Sequence, residues 1–396
     1  MSVSSASARR TRSSPRLGAG DQPLVNVFFA GGGTGGHLYP ALAIARAMVS
    51  RDPSVKAHFI GAQRGIERDV LPTTEFPFTL VDAHPFYRGR AIWKNVRTVA
   101  GGLSAWRDVG ALAREFAPSL IVGTGGYASG VALAWSALHR LPIVQHIGDS
   151  YPGATARFFA RYSAEAYLGY PEAERLLPHR GCVYRDTGNP IEPPPQIRPA
   201  SAEAKAKFGF PPSAKVLLVF GGSQGARALN QATAAFIEHG LPSSLCVIWA
   251  TGKANYDLYK NLDRADVRVI PYLAPIANAY AAADVALVRG GMMGTSELCA
   301  WGVPMLICPL PSAAHDHQTS NALTLEAAGA AIHLPQSALS AERVCAEVMN
   351  LLDHRGRLDG LRDRALARAR PRAADDIAAH IFALATSNQR SARAAH

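Results

Sequence analysis

Apolar positions along this chain alternate between two rhythms. A short apolar strand, Val25 to Ala30, runs into GGGTGGH (Gly31 to His37), after which Leu38, Ala41, Leu42, Ala45 and Met48 return at helical spacing. The first rhythm predicts a buried strand and the second an amphipathic helix, with Pro40 tolerated in its first turn. Ala57 to Gly61 reads as a second strand. Leu120 to Val122 leads into GTGGYASG (Gly123 to Gly130) and an apolar helix to about Leu138, and Pro142 to His146 is another short strand. Repeated strand–turn–helix units predict a parallel, doubly wound sheet.

About 190 residues beyond the first strand the pattern restarts at VLLVFGGSQGAR (Val216 to Arg227). Val216 to Phe220, Cys246 to Ala250, Val267 to Ile270, Val285 to Val288 and Met305 to Cys308 are strand candidates of a second lobe. Between the two sets lies PIEPPPQIRP (Pro190 to Pro199), whose five prolines make it a stiff linker. The stretch from Ser340 to Ala385 reads as helical with a break near Pro371, and the last ten or so residues as frayed. The fold class is therefore α/β, with two Rossmann-like lobes over 23–190 and 191–396, each opening suited to phosphate. The final helices are candidates to pack back on the first lobe.

A length of 396 residues suits two or three domains. The net charge of +11 includes +3 from residues 1–22, a Ser-, Ala-, Gly- and Arg-rich stretch that reads as a disordered tail. The remaining excess favours anionic partners, yet no zinc-finger spacing or helix-turn-helix signature marks nucleic acid. Five cysteines without a CxxC argue for reduced thiols and against a disulfide framework or zinc site. No apolar run is long enough to span a membrane.

The chemistry concentrates where strands meet glycines. Such turns let backbone N–H groups approach oxyanions, and the following helix end adds a favourable dipole. Gly31, Gly33 and Gly36 fit a dinucleotide fingerprint, but no acid closes the second strand, where Gly61, Ala62 and Gln63 stand. No Gly-Lys-Ser/Thr follows, which excludes a Walker loop. His37 directly after the glycines is a candidate general base, or else a helix-start histidine bonded to backbone. Ser223 and Arg227 follow the second-lobe strand, in a turn that either binds phosphate or only connects strand to helix.

The densest constellation runs from Val285 to Ala322. After Arg289 comes GGMMGTSE (Gly290 to Glu297), where amides of Met292, Met293, Gly294 and Thr295 open a helix suited to a diphosphate. Glu297, placed in that helix's first turn, can accept both hydroxyls of a ribose. His315, Asp316, His317, Gln318 and Asn321 then form a polar cluster suited to sugar hydroxyls. Metal binding fails on spacing.

The order GGGTGGH, GTGGYASG, TGNPI (Thr187 to Ile191), GGSQGARALN, RGGMMGTSE and DHQTSNA resembles the MurG family, the UDP-N-acetylglucosamine:lipid I transferases of peptidoglycan synthesis. The resemblance spans about residues 24–335 and implies a two-lobe, metal-independent GT-B glycosyltransferase without a cofactor. It implies an N-terminal lobe for the membrane-bound acceptor and a C-terminal lobe for UDP-GlcNAc. Donor contacts implied by it fall on Thr34, Gly35, Gly36, Asp149, Glu192, Ser223, Ile270, Met292, Met293, Gly294, Thr295, Glu297, His317 and Gln318. Acceptor contacts fall on Gly33, Gly125, Gly126, Tyr127 and His146, with His37 or Asp149 as base. The implied place is the cytoplasmic face of the inner membrane, peripherally bound, with room for association with cell-wall synthesis proteins.

Two positions depart from the family pattern. HIGD (His146 to Asp149) stands where His-Glu-Gln-Asn is usual, and Glu192 follows the GNPI turn where many relatives carry Arg. Both put negative charge on the sugar and phosphate side. They keep three alternatives open: a transferase for another lipid or small acceptor, a UDP-GlcNAc 2-epimerase, or a non-catalytic binding protein. Phe86, Tyr87, Trp93 and Trp106 among Arg88, Arg90, Lys94, Arg97 and Arg107 suit an anionic membrane surface, or a solvated basic face with aromatics turned inward.

Overall fold

The structure is a computed structural model and describes residues 25–84, 95–222 and 225–394. The first lobe carries β1 (Asn26–Gly31), β2 (Lys56–Ala62), β3 (Phe78–Val81), β4 (Leu120–Gly125), β5 (Ile143–Ile147), β6 (Ser163–Leu168) and β7 (Val183–Asp186). Its helices are α1 (Gly35–Arg51), α2 (Glu67–Val70), α3 (Asn95–Phe116), α4 (Tyr127–Leu138) and α5 (Ala154–Phe159). The second lobe carries β8 (Lys215–Phe220), β9 (Leu245–Ala250), β10 (Val267–Ile270), β11 (Val285–Val288), β12 (Met305–Ile307) and β13 (Ile332–His333). Around them lie α6 (Ser201–Lys207), α7 (Arg227–Glu238), α8 (Tyr256–Tyr259), α9 (Ala277–Ala282), α10 (Met292–Trp301) and α11 (His317–Ala327). The chain ends with α12 (Ala341–Asp353), α13 (Arg355–Arg368) and α14 (Ala373–Ala394).

The first sheet has the order β3-β2-β1-β4-β5-β6-β7 and the second β10-β9-β8-β11-β12-β13. Every pairing within both sheets is parallel. Parallel strands need helical crossovers, so both faces are covered and the central strands β1, β4, β8 and β11 are largely apolar runs. Val27, Phe29, Leu120 and Val122 face α1, while Phe28, Ala30 and Ile121 face α3 and α4. The strand order reverses between β1 and β4, and again between β8 and β11. Those reversals open a crevice at the strand C-termini, and the four glycine turns all sit there.

Three expectations need correction. Helix α1 opens at Gly35, so Pro40 is its sixth residue and lies in the second turn. It removes the N–H that would otherwise bond the Gly36 carbonyl. The C-terminal helical stretch breaks at His354 as well as before Ala373. Most of the stretch expected to fray is helical, since α14 continues to Ala394. The earlier turns of α14 are held by tertiary packing, since Ile377, Ala378, Ile381 and Ala385 are buried in the first lobe's core beside α1. Strands β3, β6, β7 and β13 and the whole of α3 escaped the sequence reading.

Candidate active site between the two lobes

In the first lobe the glycine turns after β1 and β4 are tied together. Gly32 N donates to Gly125 O at 3.3 Å, and Thr124 Oγ1 donates to the His37 carbonyl at 2.8 Å. Gly126 precedes α4, and the Tyr127 ring lies beside Gly33. Beneath the first turn Glu67 is fully buried, accepting from Gly33 N at 2.9 Å and Ala62 N at 3.1 Å. The Gly33 amide is therefore spent on a carboxylate and not offered to an acceptor. The amides that remain at the open end of α1 belong to Thr34, Gly35 and Gly36. Glu67 gave no signal in the sequence, where it is one acid in a polar loop.

His37 sits at the start of α1 with Nδ1 3.0 Å from Thr34 Oγ1 and its ring edge against Gly125. Burial pulls its pKa below the ordinary imidazole value, Asp149 and Glu67 oppose that, and His317 from the other lobe adds to it. The ring is thus neutral at neutral pH. When Nδ1–H donates to Thr34, Nε2 is the basic nitrogen.

His146, expected to meet the acceptor, is buried within β5 at 2% exposure. Neither ring nitrogen has a hydrogen-bond partner among the described residues. Burial and the nearby His37 lower its pKa to about 3, outweighing the Asn189 side chain, which favours the proton.

In the second lobe α10 begins at Met292 behind Gly291. Thr295 N already donates to Gly291 O at 3.2 Å, so the open helix end consists of the Met292, Met293 and Gly294 amides and not that of Thr295. Glu297 is the sixth helical residue, in the second turn and not the first. Tyr280 Oη donates to its Oε2 at 2.6 Å, and Tyr280 is itself buried with Phe220 and Trp301 around it. Burial raises the Glu297 pKa, and the charge of Glu192 adds to that. The Glu192 departure therefore places a second anion beside the candidate ribose site.

Helix α11 opens at His317 after two left-handed residues, His315 (φ 56°) and Asp316 (φ 54°). Such φ values are strained for side chains with a Cβ and concentrate at functional turns. His317 Nδ1 lies 2.8 Å from Ala314 O, an acceptor, so this nitrogen carries the proton and Nε2 is free to accept. Gln318 Oε1 accepts from Leu310 N at 3.0 Å, which leaves its amide hydrogens for a ligand. Ile270 ends β10, and its carbonyl accepts from Thr251 N at 3.1 Å. Ser223 lies outside the described residues.

The lobes touch directly. Asn321 is fully buried; its Oδ1 accepts from Ser150 N at 2.8 Å, and its Nδ2 donates to Asp149 Oδ1 at 2.8 Å and Gly290 O at 3.0 Å. Asn321 is accordingly a cross-lobe clamp and not a sugar reader, and Asp149 is engaged by it. Ser150 Oγ and Ser320 Oγ lie 2.8 Å apart, Tyr170 Oη and Thr295 Oγ1 3.0 Å, and Asn189 Nδ2 donates to Ser296 Oγ at 3.0 Å. The Met292 side chain reaches Gly36 and Gly148 of the opposite lobe. Behind the crevice Arg368 grips Glu172 through two bonds of 2.6 and 3.0 Å.

Two glycine-turn pairs thus face each other across one crevice. Residues 27–168 match the glycosyltransferase family 28 N-terminal domain and residues 216–377 its C-terminal domain. The chain belongs to glycosyltransferase family 28. It is 37% identical over 371 residues to the UDP-N-acetylglucosamine–N-acetylmuramyl-(pentapeptide) pyrophosphoryl-undecaprenol N-acetylglucosamine transferase of Salinibacter ruber, covering 91% of this chain and 97% of that one. The MurG crystal structure from Acinetobacter baumannii superimposes with a TM-score of 0.72 at 24% identity, over 90% of this chain and 99% of that one. The calicheamicin glycosyltransferase CalG4 follows the same fold, with a TM-score of 0.65 at 16% identity over 92% and 98% of the two chains. The architecture is the GT-B arrangement, and the chain is a MurG-family glycosyltransferase.

The basic aromatic patch is only partly visible. Phe86, Tyr87, Arg88, Arg90, Trp93 and Lys94 lie outside the described residues, while Trp106 on α3 is half-buried near His139. No described helix is long and apolar enough to cross a membrane. Among the described residues no group of three His, Cys, Asp or Glu could hold a metal ion, and all five cysteines are free thiols.

Proposed function

We infer that this enzyme transfers N-acetylglucosamine from UDP-GlcNAc to the C4 hydroxyl of the muramyl sugar of lipid I, producing lipid II for peptidoglycan. The observation that carries the residue roles is the pairing of a neutral His37 on one lobe with the open α10 helix end and the Tyr280-held Glu297 on the other. In this reading Glu297 accepts from the ribose and the Met292 to Gly294 amides receive the diphosphate. His317 Nε2 and the Gln318 amide meet the sugar. As the acceptor oxygen bonds to the anomeric carbon, its proton passes to His37 Nε2 and the carbon–oxygen bond to UDP breaks, inverting the centre. Charge gathering on the departing diphosphate is met by the α10 amides, so the route needs no bound metal. A lipid-linked acceptor and a net charge of +11 support a peripheral place on the cytoplasmic leaflet.

The test is UDP release with and without lipid I. Release only with lipid I, with formation of a disaccharide lipid, supports the reading. N-acetylmannosamine formed from UDP-GlcNAc alone would make the protein an epimerase, and release with another acceptor would redirect the substrate. Within the reading, His37→Ala is expected to lose more than about a hundredfold in turnover while keeping its affinity for UDP. Unchanged turnover removes His37 from the mechanism.

A further inference from the structure

Glu67 is a puzzle beside an anion-binding crevice. It is a fully buried carboxylate under the glycine turn, and among the described residues no Lys or Arg forms an ion pair with it. Backbone N–H groups of Gly33 and Ala62 meet its charge instead. Space for it is made by glycines: a Cβ at Gly32 or Gly65 would land on the carboxylate, and one at Gly61 would meet its aliphatic stem. A negative charge here opposes any anionic ligand, so packing alone would be better served by an apolar side chain.

We propose that Glu67 is a positioning residue for the transfer reaction, anchoring the Gly31–His37 turn through Gly33 and supplying negative charge near the His37 imidazole. The inference rests on the transferase reading. Burial weakens His37 as a base, and a base that is too weak cannot take the acceptor proton efficiently. Four titratable groups face this ring from neighbouring elements. Asp149 after β5 and Glu67 on α2 favour its protonated form and His317 on α11 opposes it, while His146 in β5, neutral above about pH 3, adds no charge. Both carboxylates belong to the lobe that carries His37, but Asp149 is shared with Asn321 across the crevice, whereas Glu67 bonds backbone N–H groups of its own lobe. Anchoring and charge thus come from one side chain.

The test uses full-length protein with UDP-GlcNAc and lipid I, comparing wild type with Glu67→Gln. The amide keeps the shape but sets an NH2 against one of the two N–H donors and removes the charge. Turnover is expected to fall about tenfold or more, and the acid limb of the kcat/KM profile to move down by about half a pH unit or more. UDP affinity should stay within about twofold, because the donor lobe is untouched. A profile that superimposes on wild type after scaling would reduce Glu67 to a structural role and overturn the proposal. If E67Q does not fold, Glu67→Asp decides: it keeps the charge but is too short to span both amides. About fivefold loss of turnover with little movement of the acid limb is then expected, and full activity overturns the proposal. Wild-type protein that releases no UDP with lipid I sinks both readings. An active wild type with an unshifted E67Q profile sinks only the role of Glu67.

Discussion

His146 gives the first lobe a specific weakness to mild acid. Its ring is 2% exposed, unpartnered at both nitrogens, and has a pKa lowered to about 3. In the unfolded chain the same group titrates near its ordinary 6.5. Below about pH 6.5 the unfolded state therefore takes up a proton that the native state refuses until about pH 3, and stability falls throughout that window. Above it the contribution is constant. At pH 5 the difference amounts to about 2 kcal/mol, from roughly 1.5 pH units at about 1.4 kcal/mol each. For a lobe of this size that corresponds to a drop of about 4–8 °C in Tm. The comparison is urea unfolding of wild type and His146→Phe at pH 7.5 and pH 5, with m-values checked for constancy. Phenylalanine keeps the aromatic volume and carries no proton, so the gap between the two proteins should change by about 2 kcal/mol over that range. At pH 7.5 the variant should be as stable as wild type or more so, because no unpaired nitrogens remain buried. Equal losses in both proteins between the two pH values would refute the reasoning.

Glu297→Ala removes a charged acceptor from the ribose site and should weaken UDP binding about 10- to 100-fold by calorimetry, with equal affinity counting against the role. Tyr280→Phe frees the Glu297 carboxylate from its 2.6 Å bond, and should weaken UDP binding by a smaller factor of about 3 to 10. Asn321→Ala deletes three bonds, of which two cross the crevice, and leaves Asp149 without that donor. Its radius of gyration in solution should exceed that of wild type, and an unchanged scattering profile would show that the clamp does not hold the lobes together.

The two lobes were legible because their strands are short apolar runs ending in glycine and their helices follow with a different period. That contrast located β1, β2, β4, β5 and β8 to β12 to within a few residues. Elements at the periphery were not: β3, β6, β7 and β13 mix polar and apolar positions, and pairing with a neighbour makes them strands. The end of α14 was missed because Ser387 to Ala394 is a polar run with no apolar period to mark it as helix.

At the site, the sequence by itself determined which turns could meet phosphate and which histidine and glutamate stand beside them, since glycine spacing and residue chemistry are local properties. Only the tertiary structure decided how those groups are spent. Gly33 loses its amide to Glu67, Asn321 joins Asp149 across the crevice, and His146 disappears into the sheet. Hydrogen-bond partners and burial are set by residues tens to hundreds of positions away. No local pattern encodes whether a polar group faces a ligand or a neighbouring strand.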